Sequence, residues 1–213
     1  MLFSDFKNTI VKIQKSTLKG LDAQFQLAPT YRKRYDLERV QASDPTPASV
    51  LIIFFENDEN NTSFVLTERA NYNGHHAKQI SFPGGKKDIN DTNLINTAIR
   101  ETSEEIGIFI EPTDVFKELT EIYIPPSNFL AHPFLALYEG KPKFQKNYEV
   151  ASILTPTIAD LQDSDNIQIR KVNIGANKQI ETPCFLFNNQ IVWGATAMIL
   201  SELRELLNDV FPK

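Results

Sequence analysis

The sequence predicts a mixed α/β (α+β) fold in which a mixed β-sheet lies between helices. Short runs rich in aromatic and β-branched residues are interspersed with segments whose apolar residues recur every three or four positions. The 213 residues, 41% hydrophobic and 23% charged, are enough for one substantial globular domain. No internal repeat or low-complexity tract interrupts this alternation.

The N-terminal part of the chain is expected to be an extension of the main domain. Apolar residues at helical spacing predict an amphipathic helix over 4–19, which Gly20 should end. These apolar positions are Phe6, Ile10, Val11 and Ile13. Residues 20–47 look irregular, and the cluster SDPTPAS near their end is typical of a connector. We therefore expect a helix and irregular extension at 1–47, packed on a main domain at 48–213.

The main domain should contain seven strands and three helices. The first two strands flank a polar turn and should form a hairpin, and the short middle helix should begin at a proline. The predicted strands are 49–55, 62–69, 115–124, 132–139, 166–174, 182–187 and 190–193. The predicted helices are 92–106, 155–163 and 194–209.

Charge and cysteine content exclude several classes of protein. The chain has 22 Lys and Arg against 27 Asp and Glu, so it has no surplus of positive charge for nonspecific nucleic-acid binding. The single cysteine, Cys184, rules out an internal disulfide, and its apolar neighbours predict a buried, unreactive thiol in a reducing compartment. The N-terminus lacks the apolar core of a signal peptide, and no run reaches membrane-spanning length. We expect a cytoplasmic protein with neither nucleic acid nor membrane as a partner.

The helix predicted over 92–106 has one apolar face. Its residues are Ile95, Ala98, Ile99, Thr102 and Ile106, which converge on a 3.6-residue period. Gly107 is placed for the left-handed cap that ends many helices. This face should therefore pack on the sheet.

Three carboxylates, Glu101, Glu104 and Glu105, lie beside that face within a sector of about 100°. A solvated helix face is the ordinary explanation of such a cluster, and its charges repel one another. A hard divalent cation turns that repulsion into binding, because Mg²⁺ and Mn²⁺ prefer carboxylate oxygens together with water and phosphate. Arg100 stands four residues before Glu104 and can orient a carboxylate.

A glycine turn precedes this helix at PGG, residues 83–85. Glycine lets the backbone approach a site closely, so a main-chain carbonyl can add a neutral oxygen ligand. Carboxylates, a nearby backbone oxygen and room for water together predict metal-assisted hydrolysis of a phosphate anhydride.

The stretch from Gly85 to Ile108 resembles the signature of the Nudix hydrolases, G-x5-E-x7-R-E-U-x-E-E-x-G-U, where U is aliphatic. The second half matches from Arg100 onwards, with Thr102 where an aliphatic residue is usual. The first half departs, because Asp91 replaces the glutamate and eight residues, not seven, separate it from the arginine. The resemblance implies the Nudix fold, an α/β/α sandwich with a mixed sheet, and hydrolysis that requires Mg²⁺ or Mn²⁺.

These departures resemble one branch of the family, the coenzyme A pyrophosphatases, which carry FPGGK-x-D-x-x-D and an additional block upstream. The block residues retained here are Leu66, Thr67, Arg69, His76 and Phe82 to Gly85. Two block positions differ, since an arginine of the branch is Gly74 here and a glycine is Lys78. With segments 149–161 and 192–200, the resemblance covers about 48–205.

The resemblance assigns roles to individual residues. The expected metal ligands are Glu101, Glu104, Glu105 and the Gly85 carbonyl, with one glutamate serving as general base and Arg100 orienting a glutamate. The expected substrate-binding residues are Arg69 and His76, which the block retains, and Lys78, which departs from the block but can replace its lost positive charge. A surface salt bridge is the alternative for Arg69, and a hydrogen-bonded structural imidazole is the alternative for His76.

Residues of lesser weight complete these expectations. Asp88 and Asp91 are expected at a turn or helix start, with assistance to the metal shell as a second role for Asp91. Glu149 is a further candidate carboxylate, and His132 and Trp193 are expected to be structural.

The expected substrate is a small nucleotide, with coenzyme A or an acyl-CoA preferred and 3′,5′-ADP and (acyl-)4′-phosphopantetheine as products. Another nucleoside diphosphate derivative, such as an NDP-sugar, a dinucleotide or a damaged nucleotide, is the first alternative. A catalytically silent nucleotide-binding module is the second, and the intact carboxylates argue against it. A homodimer is left open.

Overall fold

A six-stranded mixed sheet lies between helices in the computed structural model, which describes residues 1–70, 79–174 and 178–211. The helices are α1 Phe3–Lys15, α2 Leu21–Gln24, α3 Leu37–Ala42, α4 Leu94–Ile106, α5 Ile158–Gln162 and α6 Gly194–Val210. The strands are β1 Thr46–Glu56, β2 Thr62–Phe64, β3 Leu66–Arg69, β4 Ile80–Ser81, β5 Gly84–Lys86, β6 Val115–Glu118, β7 Ile122–Ile124, β8 Phe129–Leu137, β9 Val150–Leu154, β10 Ile167–Asn173, β11 Gln179–Phe187 and β12 Gln190–Val192. The mixed α/β class predicted from the sequence is confirmed.

The central sheet has the strand order β2-β1-β8-β6, with β5 added to β1 and β7 added to β8. The pairing of β1 with β8 is parallel, from Thr46↔Phe129 to Phe54↔Leu137, and the other pairs are antiparallel. Two smaller sheets have the orders β4-β3-β9 and β10-β11-β12.

Alternation along β1 builds a core on each face of the central sheet. Ile52 and Phe54 belong to the core shared with α1 and α6, where the ring centroid of Phe54 lies 4.6 Å from that of Phe6. Leu51 and Ile53 belong to the core shared with α4. Burying each such side chain stabilises the fold by about 1.5–3 kcal/mol. Apolar packing against β1 therefore fixes the position of α4 on the sheet.

Polar contacts attach the N-terminal segment to α6. The Ser201 hydroxyl donates to the carbonyl of Ala23 at 2.7 Å, and Lys12 Nζ donates to the carbonyl of Val210 at 2.7 Å. The second contact satisfies a carbonyl at the end of α6 that has no partner within the helix.

Two expectations for the N-terminal segment are wrong. The first helix ends at Lys15 and not at Gly20, because Lys117 Nζ binds the carbonyls of Gln14 and Ser16 where the chain turns extended. Gly20, at φ +59°, instead precedes α2. The region expected to be irregular contains α2 and α3, and Val11 on the first helix is exposed.

Two of the predicted strands are each divided into two shorter strands in the structure. The hairpin of β1 and β2 forms, but the predicted 62–69 strand divides at Val65, where the N–H of Phe64 donates to the carbonyl of Pro156 and the chain turns towards β9. The predicted 115–124 strand divides into β6 and β7, because the backbone N–H of Thr120 bonds to Glu202.

The short helix α5 begins at Ile158, after the proline that was expected to start it. A reciprocal capping box sets its first residue: Thr157 Oγ1 accepts from the N–H of Asp160, and Asp160 Oδ2 accepts from the N–H of Thr157. The predicted PGG turn is also different, since Gly84 and Gly85 lie in strand β5, paired with β1. Within the described parts of the chain, no helix has the length and apolar character needed to cross a membrane.

Candidate active site

Helix α4 is fixed at both ends, which sets the positions of its carboxylates. At its start, Asn93 Oδ1 accepts from the N–H of Asn96 at 2.9 Å, and the Ser49 hydroxyl of β1 donates to the carbonyl of Leu94 at 2.8 Å. At its end, Gly107 adopts φ +71° and donates to the carbonyl of Ser103. The predicted left-handed cap is confirmed, and the predicted apolar face is buried except for Ile95, which is partly buried.

Arg100 is the centre of an ion-pair cluster on the exposed side of α4. Its Nε and Nη2 atoms bind the carboxylate of Asp91 through two hydrogen bonds, at 3.0 and 2.9 Å. Its Nη1 atom lies 3.0 Å from Glu101 Oε1 and 3.3 Å from Glu104 Oε2. The predicted contact between Arg100 and Glu104 is confirmed, and the two-pronged pairing fixes the guanidinium in the direction of both glutamates.

Asp91 is the residue that departs from the Nudix signature in both type and spacing. Its side chain is only 6% exposed, and it also accepts a hydrogen bond from the N–H of Asp88 at 2.9 Å. The ion pair with Arg100 holds the pKa of Asp91 well below its ordinary value. Asp91 therefore positions Arg100, and Asp88 helps to shape the turn before α4.

Glu105 is a buried carboxylate that lies against the backbone of β5. It is 5% exposed and accepts one backbone hydrogen bond, from the N–H of Gly84 at 3.2 Å. Burial raises its pKa to about 7, although the Gly84 N–H and the charge of Arg69 act in the opposite direction. Glu105 is thus not part of a solvated helix face.

Strand β5 brings the backbone against these carboxylates. A Cβ atom on Gly85 would lie 2.5 Å from Cδ of Glu101, and one on Gly84 would collide with the carbonyl oxygen of Ser49. Gly84 is therefore required by close approach of the backbone, whereas a side chain at Gly85 would displace the Glu101 carboxylate. Sequence reasoning assigned a backbone contribution to Gly85 but missed the hydrogen bond that Gly84 donates to Glu105.

A fourth carboxylate approaches from outside α4. Glu149 precedes β9, and its carbonyl accepts from the N–H of Ala70 at 2.7 Å, immediately after Arg69 on β3. Its charge raises the pKa values of both Glu101 and Glu105. The sequence named Glu149 only as a minor candidate, because its separation in the chain gives no sign of this proximity.

The predicted substrate-binding residues divide into two groups. Arg69 is half-buried at the end of β3, and its charge acts on Glu105. His76 and Lys78, together with Gly74, lie outside the described residues. Of that predicted set, only Arg69 is therefore placed beside the carboxylates.

The oxygen atoms of these carboxylates and of the β5 backbone are the kind of ligand that a hard divalent cation prefers. Burial is the largest cause of the raised pKa of Glu101, and repulsion from Glu104 and Glu149 adds to it, so a positive charge would relieve the cluster. Across residues 1–70, 79–174 and 178–211, no group of three or more His, Cys, Asp or Glu side chains could hold a metal ion as it stands. Arg100 holds Glu101 and Glu104, so metal binding would require these two side chains to turn towards Glu105.

Comparison with known proteins identifies the family. A model of the NUDIX domain matches residues 45–173, from the start of β1 to the end of β10. The chain belongs to the Nudix hydrolase family. Nudix hydrolases generally use divalent metal ions, in agreement with the acidic donors described above.

Two Nudix relatives from Yersinia are similar over most of the chain. An uncharacterized Nudix hydrolase NudL of Yersinia enterocolitica is 30% identical over 183 residues, which cover 81% of this chain and 91% of the relative. A NudL protein of Yersinia pestis is 29% identical over 147 residues, which cover 67% of this chain and 71% of the relative.

Two solved structures support the Nudix fold. A MutT/nudix family protein from Enterococcus faecalis superposes with a TM-score of 0.54 at 14% identity, covering 100% of this chain and 81% of that one. The Nudix hydrolase RenU from M. smegmatis gives a TM-score of 0.51 at 14% identity, covering 88% and 96%. At this identity the likeness shows the fold.

Proposed function

We propose that this Nudix hydrolase cleaves the diphosphate linkage of coenzyme A or an acyl-CoA and requires Mg²⁺ or Mn²⁺. The products are 3′,5′-ADP and 4′-phosphopantetheine or its acyl form. The observation that carries the hydrolase proposal is Glu105, a buried carboxylate that faces Glu101 and Glu149 beside a glycine strand. A buried carboxylate with a raised pKa beside further carboxylates is typical of a functional site.

The proposed mechanism uses residues of α4 and β5. A bound divalent cation supplies neutralisation of the phosphate oxygens and lowers the pKa of water. Glu101, Glu104 and Glu105 would hold it, together with the main-chain carbonyl of Gly85. Water adds to one phosphorus, a carboxylate of this set accepts its proton, and the bond from that phosphorus to the bridging oxygen breaks.

Two features support the choice of substrate. Asp91 pairs with Arg100 in spite of its spacing, so the pattern that resembles the coenzyme A branch works as a structural unit. Arg69 is the proposed phosphate-binding residue because it lies beside the carboxylates and a guanidinium can grip phosphate through two hydrogen bonds. His76 and Lys78 are proposed as further substrate contacts.

Another nucleoside diphosphate derivative is the second candidate substrate. Gly74 and Lys78 replace residues of the block that distinguishes the coenzyme A branch. An NDP-sugar, a dinucleotide or a damaged nucleotide would use the same carboxylates. A silent nucleotide-binding module is disfavoured because the acidic residues of α4 are all retained.

Substrate profiling with the purified protein tests this proposal. Protein and Mg²⁺ or Mn²⁺ are incubated with coenzyme A, acetyl-CoA, ADP-ribose, NADH, dinucleoside polyphosphates and nucleoside triphosphates, and products are identified by mass. We expect 3′,5′-ADP and 4′-phosphopantetheine from coenzyme A, formed at least about a hundredfold more slowly by the Glu105→Gln variant. Rapid cleavage of another compound with coenzyme A intact would overturn the substrate assignment.

A further inference from the structure

The loop between β8 and β9, residues 138–149, is fastened to the C-terminal end of α4. The N–H of Gln145 donates to the carbonyl of Ile106 at 2.8 Å, and the N–H of Asn147 donates to the carbonyl of Glu105 at 2.9 Å. Both carbonyls belong to the last turn of the helix, where no intrahelical partner exists. The end of the loop is thus held directly against the residue that carries the buried carboxylate.

This anchoring holds the backbone around an exposed aromatic residue close to the C-terminal end of α4. Tyr148 follows Asn147 and is 87% exposed, and it precedes Glu149, whose backbone carbonyl accepts from the N–H of Ala70 at 2.7 Å. The side chain of Asn147 in turn accepts from the N–H of Glu149 at 2.8 Å. The backbone on either side of Tyr148 is therefore held in place, and most of the residue's surface stays open to solvent.

An aromatic ring held in water at the edge of a phosphate-processing site has a specific chemical use. Its faces attract planar π systems through offset stacking, and a ring with two side-chain torsions loses little conformational entropy on binding. The neighbouring carboxylate disfavours an anionic group over the ring. A neutral purine meets both requirements, whereas a flexible pantetheine chain offers no π face.

We propose that Tyr148 is a stacking platform for the nucleobase of the substrate. The proposal rests on the proposed function in one respect, namely that the diphosphate binds at the adjacent carboxylates. The base then lies over Tyr148 when the diphosphate lies against Glu101 and Glu105.

Binding without turnover tests the platform separately from hydrolysis. Dissociation constants for ADP and for ribose 5-diphosphate, which lacks the base, are measured by calorimetry with Mg²⁺ on the full chain. The variants are Tyr148→Ala, Tyr148→Phe and, as a matched control, Tyr31→Ala at a tyrosine that is 55% exposed. The wild type should bind ADP more tightly than ribose 5-diphosphate by about tenfold, the range of one base stacked on one aromatic ring.

The expected result is that Tyr148→Ala loses this tenfold preference while its affinity for ribose 5-diphosphate is unchanged. Tyr148→Phe, which retains the ring, should keep the preference, and so should Tyr31→Ala. Equal weakening of both probes by Tyr148→Ala would overturn the proposal, because the residue would then act through Glu149. Weaker binding of 4′-phosphopantetheine in place of ADP would also overturn it. Failure of the hydrolase proposal looks different, since no nucleoside diphosphate derivative would then be cleaved by the wild type.

Discussion

Helices α4 and α6 each bury one glutamate, and the hydrogen bonds described for the two side chains differ. Glu202 of α6 is 1% exposed and accepts from Thr120 Oγ1 at 2.6 Å, from the N–H of Thr120 at 3.2 Å and from Gln24 Nε2 at 3.0 Å. Glu105 of α4 is 5% exposed and accepts a backbone hydrogen bond from Gly84. The two side chains are buried to nearly the same extent, so they differ in the hydrogen-bond donors that the described residues provide.

The partners indicate what each carboxylate is for. The donors around Glu202 compensate its desolvation and join the N-terminal segment, the β6–β7 junction and α6, so its charge serves the fold. Burial raises the pKa of Glu105, and the described charges around it are mixed, because Glu101 and Glu149 add to that effect whereas Arg69 lowers the pKa. A buried carboxylate with a raised pKa and further carboxylates nearby is typical of a functional site.

The largest expected effect is the loss of turnover in Glu105→Gln. Glutamine keeps the size of the side chain and can still accept from Gly84, but it cannot accept a proton or hold a cation as a carboxylate does. We expect kcat to fall by about a hundredfold to ten-thousandfold while the melting temperature is maintained, as measured by product formation and thermal unfolding. Turnover near that of the wild type would remove Glu105 from the site.

The matched change, Glu202→Gln, should reverse the pattern. Glutamine has one oxygen and one NH₂ group where glutamate has two oxygens, so the NH₂ group would face the donor groups of Gln24 or Thr120. We therefore expect the free energy of unfolding to fall by about 3 kcal/mol. Turnover should stay within about twofold of the wild type. Urea unfolding and steady-state kinetics on the same preparation check this. Reduced kcat with unchanged stability would show that the contrast between the two glutamates is wrong.

A smaller and pH-dependent loss is expected for Asp91→Asn. The pairing with Arg100 holds the pKa of Asp91 below its value in the unfolded chain, so the ionised carboxylate stabilises the folded protein above pH about 4. That stabilisation is lost progressively as the pH falls from about 4 towards the folded-state pKa. The variant should be less stable than the wild type by about 2 kcal/mol at pH 7, with a smaller difference at pH 3.

Urea unfolding at both pH values measures these differences. Asp22, an exposed carboxylate paired with Arg34, provides the control, because Asp22→Asn should change stability by less than about 1 kcal/mol at either pH. A difference for Asp91→Asn that does not vary with pH would show that the ion pair is not its cause.

Local sequence rules predicted α4 well. Helical periodicity gave its buried face, the i, i+4 spacing gave the contact of Arg100 with Glu104, and Gly107 gave its end. These features depend on residues within one or two turns of each other, where periodicity and capping are decisive. Cys184 is buried, as its apolar neighbours predicted.

Long-range contacts limited the prediction elsewhere. The division of the 62–69 segment depends on Pro156, and that of the 115–124 segment depends on Glu202. The approach of Glu149 to α4 depends likewise on the loop anchored at Asn147. These contacts join residues that are far apart in the sequence, so local sequence patterns could not identify them.

The division of the chain at 47/48 and a homodimer stay predictions.

The smallest expected effect concerns Glu149, whose charge acts on the site from a half-buried position outside α4. Because its backbone makes the contact with Ala70, Glu149→Gln should preserve the loop and remove only the charge. The Mg²⁺ concentration for half-maximal turnover should rise about tenfold. The metal-free variant should be slightly more stable than the wild type, because Glu101 and Glu105 lose a repulsive neighbour.

Metal titrations measure the Mg²⁺ dependence of turnover, and thermal unfolding in chelator measures the stability of the metal-free protein. Glu38→Gln, at an exposed glutamate on α3, is the control for a lost charge. Unchanged metal dependence together with lower stability would place Glu149 with Glu202, among the carboxylates that serve the fold.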